Sequence, residues 1–73
     1  MARVVVRYSE FERYDIQRDA EVVRFMATTD GGSYWAEVPS ANSAAVRRDR
    51  AAFKERVTEF IQAGVYPKEV ALG

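Results

Sequence analysis

Apolar and polar positions alternate most clearly on either side of Asp30-Gly31. Residues 22–28 and 33–38 each repeat with a period of two, the spacing of a strand with one buried face. An Asp-Gly pair between two such runs predicts a hairpin with a two-residue loop, both central residues taking positive φ. That loop sets Thr29 opposite Gly32, Ala27 opposite Tyr34, Phe25 opposite Ala36 and Val23 opposite Val38. Those last six side chains form one apolar face. The other face pairs Met26 with Trp35 and Arg24 with Glu37, an ion pair across the strands. A slip by one residue would place Phe25 opposite Glu37, so the hydrophobic pattern and the turn select one register.

After Pro39 the period changes. Ser40 or Asn42 is placed to cap a helix, and Val46, Phe53, Val57, Phe60 and Ile61 then share one stripe at 3.6 residues per turn. Ala45 and Ala52 border the stripe. Gly64 is a natural helix terminator, with Pro67 beyond it. Upstream, residues 2–8 are rich in β-branched side chains and predict a first strand, with Val4 and Val6 turned to the core. Residues 9–19 are read as a loop or short turn. Ser9 and Glu12 have capping-box spacing there, whereas Tyr14 and Ile16 alternate as in a strand. In the tail, Val70 and Leu72 alternate and predict an edge strand or a segment docked on the sheet.

These elements predict a single α+β domain over residues 1–73, in β-β-β-α order. Three antiparallel strands, with a short fourth at the C-terminus as an option, pack on one amphipathic helix. At 73 residues the core is thin, and stability of roughly 3–5 kcal/mol is expected. Neither cysteine nor histidine occurs, which excludes a disulfide framework and the usual cysteine–histidine zinc sites. The absence of disulfides fits a reducing compartment. No apolar run approaches a membrane span and no secretory leader is visible, so the expected location is the cytoplasm, with no membrane partner. The chain opens on a methionine and carries no tag or linker, and a complete small gene product is expected.

Eleven basic residues balance eleven acidic ones, which argues mildly against a generic nucleic-acid binder. Without histidine there is no Ser-His or Cys-His pair. The glycines at 31 and 32 lead into a strand, not a helix N-terminus, and so do not make a phosphate loop. Glu10, Glu12, Asp15, Asp19 and Glu21 lack calcium-loop spacing and are interrupted by Arg13 and Arg18. The expectation is no enzyme, no cofactor and no metal.

Two surfaces remain as candidates. The sheet face away from the helix carries Trp35, Met26 and Arg24, and, with the first strand in the parity above, Val5 among Arg3 and Arg7. Tryptophan beside arginine is a common interface composition, and also that of a base-stacking platform. Whether residues 9–19 or the tail cover Trp35 is left open by the sequence. The second surface is a helix flank, Arg47, Arg50 and Lys54, with no acid four residues beyond any of them.

The run Asp30-Gly31-Gly32-Ser33-Tyr34-Trp35-Ala36-Glu37-Val38-Pro39 resembles the hairpin of HicB-like antitoxins, in which a glycine turn and a closing proline lead toward a helix. It covers about a seventh of the chain, and no Pro-Gly-Cys run or further strand follows it. The resemblance implies a nucleic-acid-binding or antitoxin-type domain. The residues themselves favour a non-enzymatic protein-binding module. One such class is the small phage or mobile-element accessory protein, or inhibitor of host defence, that occludes a larger partner. The alternatives are a nucleic-acid binder on the same sheet face and a small structural homo-oligomer, a homodimer in its simplest form.

Overall fold

The hairpin is the centre of a three-stranded antiparallel sheet. In the computed structural model, which describes residues 4–72, β1 is Arg7–Asp15, β2 is Ala20–Thr29, β3 is Gly32–Pro39 and α1 is Ser43–Ala63. The strand order is β1-β2-β3, so the fold is α+β in the expected β-β-β-α order. The β2–β3 register is the one that the hydrophobic pattern selects: Val23 faces Val38, Phe25 faces Ala36, Ala27 faces Tyr34 and Met26 faces Trp35.

The turn chemistry differs from expectation. Asp30 and Gly31 do not take positive φ; Gly32 does, at 134°. The backbone angle disfavoured by a side chain therefore falls one residue later, at a position where glycine carries no Cβ to oppose it. Thr29 satisfies the turn locally. Its Oγ1 accepts from the Gly31 N–H (3.2 Å) and donates to the Gly32 carbonyl (3.0 Å).

The first strand also requires correction. It occupies residues 7–15, most of the segment read as loop, and of the described part of the strand expected over residues 2–8 it takes in only Arg7 and Tyr8. No helical turn starts at Ser9. Register explains the shift. Arg7 pairs with Thr28, so Val6 and Val5 would have to pair with Thr29 and Asp30, where β2 ends in its turn. Val4 and Val5 are exposed and Val4 is not a core residue, while Val6 packs against the edge of the core. The placement of Ala2 and Arg3 falls outside the described residues. At its other end β1 turns through residues 16–19, where Asp15 accepts from the Gln17 N–H (3.1 Å) and Asp19 adopts φ 52°. Aspartate does both more readily than most residues.

Asn42, not Ser40, caps the helix, accepting from the N–H groups of Ala44 and Ala45 (3.0 and 3.1 Å). Ser40 instead ties the end of β3 to the Glu21 carbonyl on β2. Gly64, at φ 72°, ends the helix, with Gly64 and Val65 N–H groups donating back to Ile61 and Phe60 carbonyls. One helical face, Val46, Phe53 and Val57, is buried against Val23, Phe25, Ala27, Tyr34, Ala36 and Val38, with Phe60 and Ile61 at the margin. The Phe25 and Phe53 rings stack at 5.7 Å. The tail closes the free edge of β3: Trp35 N–H donates to the Lys68 carbonyl, Val70 N–H donates to the Trp35 carbonyl (2.7 Å), and Val70 is buried in the core. The short fourth strand is thus a single parallel bridge, Trp35 to Glu69.

Candidate functional site

The helix packs on one side of β2 and β3, which leaves the opposite sheet face without a second layer among the described residues. Strand alternation assigns its residues. Ser9, Met26 and Trp35 form one row across the three strands, Phe11, Arg24 and Glu37 the next, and Arg13, Val22 and Pro39 the third. Arg7, Thr28 and Ser33 form a row at the other end of this face.

Trp35, Met26 and Arg24 are brought together and are all half-buried. The Arg24 guanidinium lies 4.2 Å from the centroid of the Trp35 ring, close enough for a cation–π contact. Most of residues 9–19 lie in β1, two strands from Trp35 in the sheet. The tail meets it along the backbone edge of β3. Arg3 lies outside the described residues. Val5 is not part of the sheet and does not join this face as expected, whereas Arg7 does.

The face is held by a charge network that the sequence reading captured in part. Arg24 Nε is 3.7 Å from Glu37, as cross-strand pairing implied. Arg13 takes the hydrogen bonds, however, reaching over β2 to donate to both Glu37 oxygens at 2.5 and 2.7 Å. A fork-to-fork pair of this kind fixes both side chains. Its stem and Pro39 flank Val22, which is buried on an otherwise open face. Arg18 and Arg13 also approach Asp15, at 3.4 and 3.9 Å. Arg24 Nε is buried and has no hydrogen-bond acceptor. Phe11, Arg13 and Glu37 belong to this site, and spacing alone could not connect them, because Arg13 and Glu37 are 24 residues apart.

The helix flank is less free than the sequence implied. Arg50 donates to both oxygens of Glu10 on β1 (2.6 and 2.8 Å), and Lys54 sits over the Tyr8 ring at 5.2 Å. Arg47 is exposed, beside a groove of about 550 Å³ between α1 and β1 that Arg50, Glu10, Glu12 and Ser43 also line. The acidic residues of β1 divide between the two faces, Glu10 and Glu12 on the helix side and Asp15 on the other. Among the described residues no three acidic groups converge as metal ligands would.

Hydrogen bonds from Arg13 hold the Glu37 carboxyl below its ordinary value of 4.5; burial opposes this, and the charges of Arg13, Arg24 and Arg18 add to it. Hydrogen bonds from Arg50 lower Glu10 in the same way. A carboxylate lowered in the fold stabilises it fully above its unfolded pKa, and that contribution is lost as pH falls through the folded value. Glu37, only 9% exposed, should outweigh Glu10, at 38% exposed and screened by solvent. Urea midpoints are expected to hold from pH 7 down to about 5 and then to decline through and below 4.5. Glu37→Gln should start lower at pH 7 and decline less. An unchanged slope in that variant would remove Glu37 as the source.

No family model, no curated protein and no solved structure matches the chain. The hairpin resemblance to HicB-like antitoxins therefore rests on its ten residues alone. Among the described residues no helix is long and apolar enough to cross a membrane.

Proposed function

We propose that the chain is a non-enzymatic protein-binding module whose outer sheet face seats on a larger partner. The supporting observation is the cluster at the middle of that face. Trp35 and Met26 stand directly opposite each other, half-exposed, with Arg24 held over the indole and Phe11 beside it. Aromatic, methionine and arginine side chains in one ordered patch have the composition of an interface centre, and their conformational entropy is already reduced before binding. An open sheet face fits an occluding role, that of an accessory or inhibitor protein such as phages and mobile elements carry, acting in the cytoplasm. Arg47, Arg50 and Lys54 lie on the opposite side of the molecule. Arg50 and Lys54 already have partners on β1, so Arg47 is the flank residue open to a second contact.

The same cations suggest a nucleic-acid platform as the second reading. It is weaker, because Arg13 is committed to Glu37 and Arg24 takes up one face of the indole that a base would use.

The test is capture of partners by the tagged protein from its host's lysate, with and without nuclease, alongside Trp35→Ala. A defined protein that survives nuclease and is lost at least tenfold in Trp35→Ala, while that variant still melts cooperatively, is the expected result. Capture that disappears with nuclease and weakens steeply with salt would move the assignment to nucleic acid. A Trp35→Ala protein without a cooperative melt would place the residue in the core and withdraw the proposal's main support.

A further inference from the structure

The edge of β1 is a surface of another kind. β1 pairs on one side with β2, and no described strand meets its other edge. It runs nine residues without proline or glycine. Such an edge is a template for a further strand unless charge or shape protects it. The charges that would protect it are partly drawn away: Arg13 reaches across its own sheet to Glu37, and Glu10 is held by Arg50. Six of the seven large apolar side chains left exposed among the described residues, Val4, Val5, Tyr8, Phe11, Tyr14 and Ile16, lie in residues 4–16.

The sequence of this edge is close to a palindrome, Arg-Tyr-Ser-Glu-Phe-Glu-Arg-Tyr-Asp. We propose that β1 pairs with β1 of a second copy, antiparallel, about a two-fold axis at Phe11, to make one continuous six-stranded sheet. In that register Arg7 faces Asp15 at both ends, Tyr8 faces Tyr14, Ser9 faces Arg13, and Phe11 faces its own copy. Opposite charges and aromatic pairs directly across strands are favourable. Each residue also meets a partner from the same face, so the helix side of one copy continues into the helix side of the other.

Glu10 opposite Glu12 is the one unfavourable pair. Arg50 already neutralises Glu10, and Arg47 lines the same groove as both acids. A slip of two residues one way sets Arg7 against Arg13 and Glu10 against itself. A slip the other way sets Glu12 against itself and leaves Arg7 and Tyr8 without strand partners. Neither keeps the Arg7–Asp15 and Tyr8–Tyr14 pairs. The helices do not obstruct the joint. Each lies over β2 and β3, and at a strand spacing near 4.8 Å the two would stand about 19 Å apart, beyond the roughly 10 Å of packed helices. The pairing runs along the backbone edge of β1. Phe11 and Arg13 also belong to the outer-face site, but the proposal does not rest on that cluster's role.

The test uses the full chain. Sedimentation equilibrium is expected to give twice the 8.3 kDa chain mass at tens of micromolar. Arg7→Asp, which sets two acids against each other at both ends, and Phe11→Lys, which sets two cations together on the axis, are each expected to weaken the dimer at least tenfold. Arg7 and Phe11 are exposed, so unchanged thermal melts at low concentration should confirm the monomer fold. The chain has no cysteine, so Phe11→Cys tests the register: directly opposite Cα atoms about 4.5–5.5 Å apart suit a disulfide. Rapid cross-linking on mild oxidation, with none in a Tyr66→Cys control, is expected. Monomer mass up to about millimolar concentration, or a dimer unaffected by both charge variants, would overturn the proposal.

Discussion

Phe53→Ala is expected to leave the domain largely unfolded at room temperature. Phe53 is 1% exposed and stacks on Phe25, within the contact of the helix with β2 and β3. Truncating a buried phenylalanine costs about 3–5 kcal/mol, the lost transfer energy plus the cavity left behind. A domain of this size has roughly that much stability in total. No disulfide holds the chain if the core fails. Far-UV circular dichroism and a urea titration would show a lost or strongly shifted transition. Phe11→Ala is the matched control. Its ring is 46% exposed on β1, and at concentrations low enough to keep the chain monomeric a shift within about 0.5 kcal/mol is expected for a surface site of this kind. Similar losses in the two variants would mean that the helix–sheet layer is not where the stability lies.

Val70→Asp is expected to detach the tail and take a large part of the stability with it. Val70 is 2% exposed and sits in the core, and its N–H bonds to the Trp35 carbonyl. The residues of that core carry no cation, and its Tyr34 hydroxyl already donates to the Val65 carbonyl, so a carboxylate there would be an unpaired buried charge, too costly to keep. The segment's only escape is to leave. That forfeits the burial of Val70, about 1.5–3 kcal/mol, and the backbone bonds that close the β3 edge. It also loosens the bond from the Tyr34 hydroxyl to the Val65 carbonyl (2.7 Å). Amide exchange at Trp35 and the tail should accelerate by at least tenfold, and the urea midpoint should fall. Val70→Ala should give a smaller loss with the bridge intact. If Val70→Asp kept wild-type exchange at Trp35, the tail would not be the element that closes this edge.

The two variants separate what was legible in the sequence from what was not. The hairpin register and the helix stripe rest on short-range periodicity. Phe25 and Phe53 could be assigned to the core because each sits in an alternating or 3.6-residue pattern that only one orientation satisfies. Val70 lies in a tail too short for a period, so its two readings, edge strand or docked segment, could not be resolved without knowing which strand lay beside it. β1 escaped the sequence for a related reason. Its helix-side positions are Tyr8, Glu10, Glu12 and Tyr14, all exposed even though Arg50 and Lys54 of α1 reach Glu10 and Tyr8, so no apolar face marks the strand.

The candidate site divides in the same way. The position of Trp35, Met26 and Arg24 on one face follows from a two-residue repeat and was readable. The Arg13–Glu37 and Arg50–Glu10 pairs were not, because charge and spacing do not say which distant strand will lie alongside. The sequence alone determined one helix, one hairpin, its register and the apolar faces that meet, since each follows from patterns within a few residues. Tertiary structure alone decided where the first strand begins, which glycine carries the turn, where the tail closes the sheet and which ions pair. Those depend on β2 ending at its turn, and on which edges and side chains packing then brings within a few ångströms of each other.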